Sequence, residues 1–308
     1  MTATATTNLV RLSLGSVSVG LDMGRVLGIE RAERMKPMPD RPELAGHVVN
    51  RAGDWPVLDL AARLGLERAP AAGHGQIVLT AIAGERFGLL VDRAAPVARP
   101  DQSAIRAVPL SVARRDSYYD GVLMVDGRPL LLLDPDRLTG EVDLFAADEA
   151  EPAPRIGNSK RTRVDRLLIL GQYEYPLPGG RVVGFGLPVA CVAEMIDAPP
   201  GSSVPGSSGH VRELSSWRGR ALPVIDLAAW CGLRVPAPAN RRTIVVRTPN
   251  GEPIGLPAGH GIRMVPLPLP SVPARRSITL NRDRVLGVFD TNEQTLVIPD
   301  LMKLSAGR

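Results

Sequence analysis

Apolar positions along this chain come in short runs rich in β-branched residues, interrupted at close intervals by glycine or proline. Gln76–Ile82 and Thr243–Arg247 are typical, and runs of that length bounded by turn residues predict strands. In the first half the pattern predicts strands at Leu9–Leu14 and Val17–Leu21, a short helix near Gly24–Ile29, and strands ending at Leu58. A helix follows from Leu60 to about Leu64, with further strands at Gln76–Ile82, Arg86–Asp92, Gly121–Val125 and Pro129–Leu133. Asp59 stands where its carboxylate can accept amide hydrogens at the start of that helix, and Gly65 suits its end. Short strands at this spacing predict small barrels in an all-β fold with short helices.

The chain also repeats itself. Arg51–Leu66 (RAGDWPVLDLAARLGL) aligns without a gap on Arg218–Leu233 (RGRALPVIDLAAWCGL), 167 residues on. Pro56 falls on Pro223, Asp59 on Asp226 and Gly65 on Gly232. The same offset sets Ile77–Leu79 on Ile244–Val246 and Gly88-Leu89 on Gly255-Leu256. Upstream, at an offset of 166, Val19-Gly20-Leu21 falls on Phe185-Gly186-Leu187 and Met38-Pro39 on Val204-Pro205. Downstream, Leu133–Leu138 (LDPDRL) aligns loosely with Val297–Met302 (VIPDLM). A repeat of this size predicts two domains, residues 1–145 and 167–308. The segment 146–166 between them runs from acidic (Asp148, Glu149, Glu151) through Pro152 and Pro154 to basic (Lys160, Arg161, Arg163), and reads as an exposed linker.

Composition narrows the function. Apolar residues are 44% and charged residues 22%, which supports a packed core and argues against wholesale disorder. The excess of 37 basic over 32 acidic residues is too small to argue for nucleic acid by itself. No run approaches the roughly 18 apolar residues of a membrane span, and Met1–Asn8 lacks the layout of a signal peptide, so the chain is expected in the cytosol without membrane insertion. Cys191 and Cys231 do not make a disulfide framework and are expected to be reduced core residues.

No catalytic, cofactor-binding or metal-ligating set emerges: there is no GxSxG elbow, GxxxxGK[ST] loop or HExxH helix. His47, His74, His210 and His260 lack neighbours at metal-ligand spacing. Gly206-Ser207-Ser208-Gly209 has the look of a nucleophile loop, but no base can be assigned beside it, and a turn is the simpler reading. Asp59 and Asp226 read as helix caps, not as paired acids. Arg51 and Arg218, each beside a tight turn, are either solvated or part of an interface, where arginine is enriched.

The ordered run of Arg51, Pro56, Asp59-Leu60, Gly88 through Val91-Asp92, and Leu132-Leu133-Asp134-Pro135 resembles the CheW family. The second copy carries Arg218-Gly219, Pro223 through Asp226-Leu227, and Glu194 where that family often has an acidic residue. The resemblance implies two tandem CheW-like domains, each a pair of small five-stranded β-barrels, and a non-enzymatic adaptor without cofactor. It implies two partners, the cytoplasmic tip of a chemoreceptor (a methyl-accepting chemotaxis protein) and the regulatory domain of a CheA-type histidine kinase, with recruitment to receptor arrays. Arg51, Arg218, Glu194 and Asp92 become the candidate protein-interaction residues. The copies depart differently: Ala52 replaces a glycine, Gly28 stands opposite Glu194, Pro257-Ala258-Gly259 replaces Leu90-Val91-Asp92, and the second copy lacks the Leu-Asp-Pro ending. Two alternatives stay open, a nucleic-acid-binding small barrel using Arg114-Arg115, Arg241-Arg242 and Arg275-Arg276, and a regulatory module derived from a CheA-type kinase. Aromatics at 4% that do not interleave with the arginines disfavour the first.

Overall fold

A computed structural model describes residues 8–304 apart from 39–43, 52, 67–74, 98–103, 110, 113–116, 140–165, 175–181, 234, 236–241, 249, 260, 267–279 and 291–293. Most of the linker, its basic cluster, His74, His260 and all the paired arginines except Arg242 lie outside the described residues.

Copy one contains β1 (Leu9–Leu14), β2 (Val17–Asp22), β3 (Val26–Arg31), β4 (Gly46–Asn50), β5 (Gly53–Asp59), α1 (Leu60–Arg63), β6 (Gln76–Ile82), β7 (Glu85–Val91), β8 (Arg93–Pro96), β9 (Tyr119–Val125) and β10 (Arg128–Leu133). Two five-stranded sheets result, ordered β8-β1-β2-β10-β9 and β3-β6-β7-β5-β4. Copy two contains β11 (Arg166–Glu174), β12 (Val182–Pro188), β13 (Val192–Asp197), β14 (Val211–Trp217), β15 (Arg220–Ile225), α2 (Leu227–Trp230), β16 (Arg242–Arg247), β17 (Pro253–Ala258), β18 (Arg263–Pro266), β19 (Val285–Asp290), β20 (Gln294–Pro299) and α3 (Leu301–Leu304). Its sheets, β18-β11-β12-β20-β19 and β13-β16-β17-β15-β14, repeat the topology strand for strand. The fold is thus mostly β with short helices, four five-stranded sheets in two tandem domains.

Alternation along β1 explains the packing. Val10, Leu12 and Leu14 enter a core shared with the second sheet through Val78, Ile82, Leu89 and Val91. Each sheet of copy one also encloses its own cluster on its other side, Leu9, Leu123, Leu130 and Leu132 in one and Val48, Trp55, Val57, Ile77 and Leu79 in the other. In both copies a glycine lets the central strand, β7 or β17, lie close to its antiparallel neighbour. A Cβ on Gly88 would lie 2.5 Å from Ile77 Cγ2, and one on Gly255 would lie 2.8 Å from Thr243 Cγ2.

That last pair of contacts corrects a register. Ile77 and Thr243 occupy the same place beneath their glycines, so β6 matches β16 at an offset of 166, one residue from the alignment of Ile77–Leu79 on Ile244–Val246. The C-terminal alignment shifts by two residues. Asp134 N donates to Tyr118 O and Asp300 N to Arg284 O, which makes Asp300 the counterpart of Asp134, so copy two keeps that aspartate. The helix expected near Gly24–Ile29 is also corrected: only Met23–Arg25 forms a 3-10 turn, capped by Asp22, and the rest is strand β3. Its half-buried positions (Val26, Gly28, Glu30) alternate with exposed ones (Leu27, Ile29, Arg31), the period of an edge strand.

Both helix caps form as the spacing requires. Asp59 Oδ1 accepts from Ala61 N and Ala62 N at 3.0 and 3.2 Å, and Asp226 Oδ1 from Ala228 N and Ala229 N at 2.9 and 3.1 Å. Gly65 and Gly232, at φ +69 and +83, end the helices. The two copies touch: β10 packs on β14 and β9 on β15, and the buried Tyr119 hydroxyl donates to Pro205 O at 3.2 Å.

Candidate functional site

Strands β14 and β15 are joined by two residues, since Trp217 pairs with Arg220 across the hairpin. Both linking residues have positive φ, Arg218 at +51 and Gly219 at +72, the signature of a type I′ turn whose twist suits the flanking strands. A non-glycine residue is uncommon in that conformation. Here it folds the arginine back over its neighbour, with the guanidinium carbon 4.8 Å from the Trp217 ring centroid.

The partner of both residues comes from edge strand β13. Glu194 Oε2 accepts from Trp217 Nε1 at 2.9 Å and from Arg218 Nη2 at 3.0 Å. The indole bond first, and then the guanidinium charge, hold the Glu194 carboxyl below the usual carboxylate range. Arg218 keeps 66% of its side chain exposed. The result is a pre-oriented cation, aromatic face and carboxylate on the surface, with donors left over for an outside acceptor. Two of the four sequence candidates, Arg218 and Glu194, therefore meet. Trp217 was missed; an indole immediately before a turn arginine was the available signal.

Copy one builds the same corner from other residues. Arg51 is exposed in the turn that Asn50 and Gly53 close. Gly28 stands where copy two has Glu194, and the corner is held by Trp55 Nε1 donating to Asn50 Oδ1 at 3.0 Å. Glu30 pairs with Arg34 at 2.9 Å. The fourth candidate, Asp92, lies apart at the junction of β7 and β8, where its Oδ2 accepts from Gly15 N in the β1–β2 turn. It ties the two sheets together, and its counterpart Gly259 keeps only the backbone bond, donating to Leu170 O.

A second tie stands in copy one. Asp136 Oδ1 accepts from Ala83 N at 2.8 Å and pairs with Arg25. The Ala83 amide first, then Arg25, lowers the Asp136 carboxyl below its ordinary value.

Cys231 is buried in the core, where burial pushes its thiol up to about 12, while Cys191 is half-buried at the core's margin and raised by the same cause. The Gly206–Gly209 loop does have an imidazole beside it, for Ser208 Oγ lies 3.1 Å from His210 Nε2. That contact spans two residues within a turn that abuts Tyr118, whose ring would lie 3.5 Å from a Cβ on Gly206. Among the described residues no cluster of His, Cys, Asp and Glu could hold a metal ion, and no helix is long and apolar enough to cross a membrane.

Comparison with known proteins places these features. A family model described as CheW-like domain matches residues 8–143 and again 178–307. A probable chemotaxis protein CheW of Rhizobium etli is 30% identical over 112 residues, covering 36% of this chain and 72% of the relative. A chemotaxis protein CheW of Rhizobium meliloti is 29% identical over 119 residues, covering 38% and 73%. The crystal structure of the scaffolding protein TtCheW from Thermoanaerobacter tengcongensis aligns with 24% identity and a TM-score of 0.41, covering 45% of this chain and 95% of that one.

Proposed function

The chain belongs to the CheW-like domain family, with two such domains in tandem, and from that premise we propose that it is a non-enzymatic cytoplasmic adaptor coupling chemoreceptor tips to a CheA-type histidine kinase. The observation that carries this reading is the Glu194–Trp217–Arg218 corner. It presents a fixed guanidinium and an aromatic face on an exposed hairpin, which suits recognition of a protein carboxylate and offers no reacting group. The Rhizobium relatives named as chemotaxis proteins support the same pathway. In this reading Arg51 and Arg218 face partners, and recruitment to receptor arrays follows from binding both receptor and kinase.

The test is reconstitution. Purified chain, receptor tip and kinase should co-sediment as a ternary complex in which kinase activity depends on the receptor. Failure to bind either protein, or salt-sensitive binding to oligonucleotide on a gel at two ionic strengths, would overturn the adaptor reading.

A further inference from the structure

In each copy the two sheets meet across a shared core, and the ties across that junction differ between the copies. In copy one β7, a strand of the second sheet, is pinned to the first sheet at both ends. At one end Asp92 accepts from Gly15 N. At the other Asp136, in the 3-10 turn Pro135–Thr139 after β10, accepts from Ala83 N at 2.8 Å and pairs with Arg25. That turn also packs on β6.

Copy two lacks every member of the Asp136 latch. Asp134 Oδ1 accepts from Asp136 N and Asp300 Oδ1 from Met302 N, so Met302 takes the place of Asp136. Cys191 directly precedes β13 as Arg25 precedes β3. Pro249, which has no amide hydrogen, follows Thr248 as Ala83 follows Ile82. Acceptor, cation and donor are thus replaced together, and among the described residues α3 makes no comparable packing on β16. At the other end of β17 the backbone bond from Gly259 N to Leu170 O stands without a carboxylate beside it.

A third tie is present in both copies with its members exchanged. Arg63 and Trp230 each stand four residues after a capping aspartate. Tyr118 and Arg284 each carry the carbonyl that accepts from Asp134 N or Asp300 N. The Arg63 guanidinium carbon lies 6.0 Å from the Tyr118 ring centroid, and that of Arg284 lies 5.7 Å from the Trp230 centroid. A cation and an aromatic face attract whichever element carries which, so this clasp persists where the latch does not.

We propose that copy two is a hinged domain whose two sheets change their mutual angle, while the same two sheets of copy one are latched into one rigid unit. The sheet β13-β16-β17-β15-β14 is held against copy one through β14 and β15, so the moving part is β18-β11-β12-β20-β19. It swings about the Arg284–Trp230 clasp and the Gly259–Leu170 bond, and opens at the β16–β17 turn, where the latch is missing. In copy one, charge-assisted bonds at both ends of β7 prevent that swing. A protein touching both sheets finds the angle of copy one already set and must select the angle of copy two.

Residual dipolar couplings of the full chain, fitted sheet by sheet, test this directly. Both sheets of copy one and the sheet β13-β16-β17-β15-β14 should fit a single alignment tensor, and β18-β11-β12-β20-β19 should show couplings of smaller magnitude. Building the latch into copy two, with Cys191→Arg, Pro249→Ala and Met302→Asp together, should raise those couplings to the common value. Removing both latches from copy one, with Asp92→Ala and Asp136→Ala, should reduce the couplings of β3-β6-β7-β5-β4 instead. One tensor of one magnitude for all four wild-type sheets would overturn the hinge. Equal reduction in both sheets of copy two would also overturn it, by placing the motion between the copies. Couplings that stay small in the folded triple variant would overturn the missing latch as the cause. Should the triple variant not fold, the wild-type fit and the Asp92→Ala, Asp136→Ala variant still decide the matter.

Discussion

At Arg218 a single carboxylate oxygen, Oε2 of Glu194, serves both the guanidinium and the Trp217 indole, so removing that charge releases two donors at once. We expect Glu194→Ala to loosen the turn, visible as a red shift and increased quenching of tryptophan emission, with little change in melting temperature because exposed ion pairs contribute little. Asp136 offers a pH test. Its carboxyl is depressed in the folded protein, so its contribution is present above the unfolded value near 3.8 and lost as pH falls through the lower folded value. Asp136→Ala should therefore lower the melting temperature at neutral pH and differ little from wild type in strong acid. Asp59→Ala and Asp226→Ala should each cost about 1 kcal/mol through the lost cap, additively since the sites are far apart, as denaturant unfolding can measure. The caps were legible in the sequence because a cap is a local pattern, an aspartate before a short apolar helix and a glycine after it. The Glu194–Trp217 bond was not, since it joins residues 23 apart and exists only once β13 and β14 share a sheet.

Among the elements, β7 and β17, which the repeat matched at Gly88-Leu89 and Gly255-Leu256, each carry a glycine forced by a close approach. Gly88→Ala and Gly255→Ala should each destabilise by about 1–3 kcal/mol, because the new methyl meets a packed side chain beneath it. Equal losses at both positions in denaturant melts would support the matched role, and a neutral result at either would contradict it. Register was readable only where such fixed points lie close. Between α1 and β6 the connection in copy one is one residue longer than its counterpart, and the apolar residues of β16 align in either register, so nothing local revealed the slip. Strand β3 was misread for a related reason. Its inward positions include Gly28 and Glu30, which hide the alternation that the sheet imposes, while the 3-10 turn at Met23–Arg25 supplies a true helical start.

On the scale of the whole molecule the repeat gave two domains of one topology, but not how they meet, because Tyr119 and Pro205 carry no mark in sequence that they are partners. Limited proteolysis should cut within about 146–166, as proposed from the linker's composition, and yield two fragments of near half size. Because β9–β10 packs on β14–β15, we expect those fragments to elute together until denaturant is added. Domains that separate freely at once would mean that the contact is weak. The adaptor reading itself turns on the two hairpin arginines. Arg51→Glu and Arg218→Glu should each weaken co-sedimentation with receptor tip and kinase, by about thirtyfold for a contact near the centre of the interface. The decisive measurement is receptor-dependent kinase activity in the reconstituted complex with each variant, alongside its melting curve. Coupling lost while melting is unchanged is the result expected; full coupling by both variants would contradict the assignment of these turns to partner surfaces.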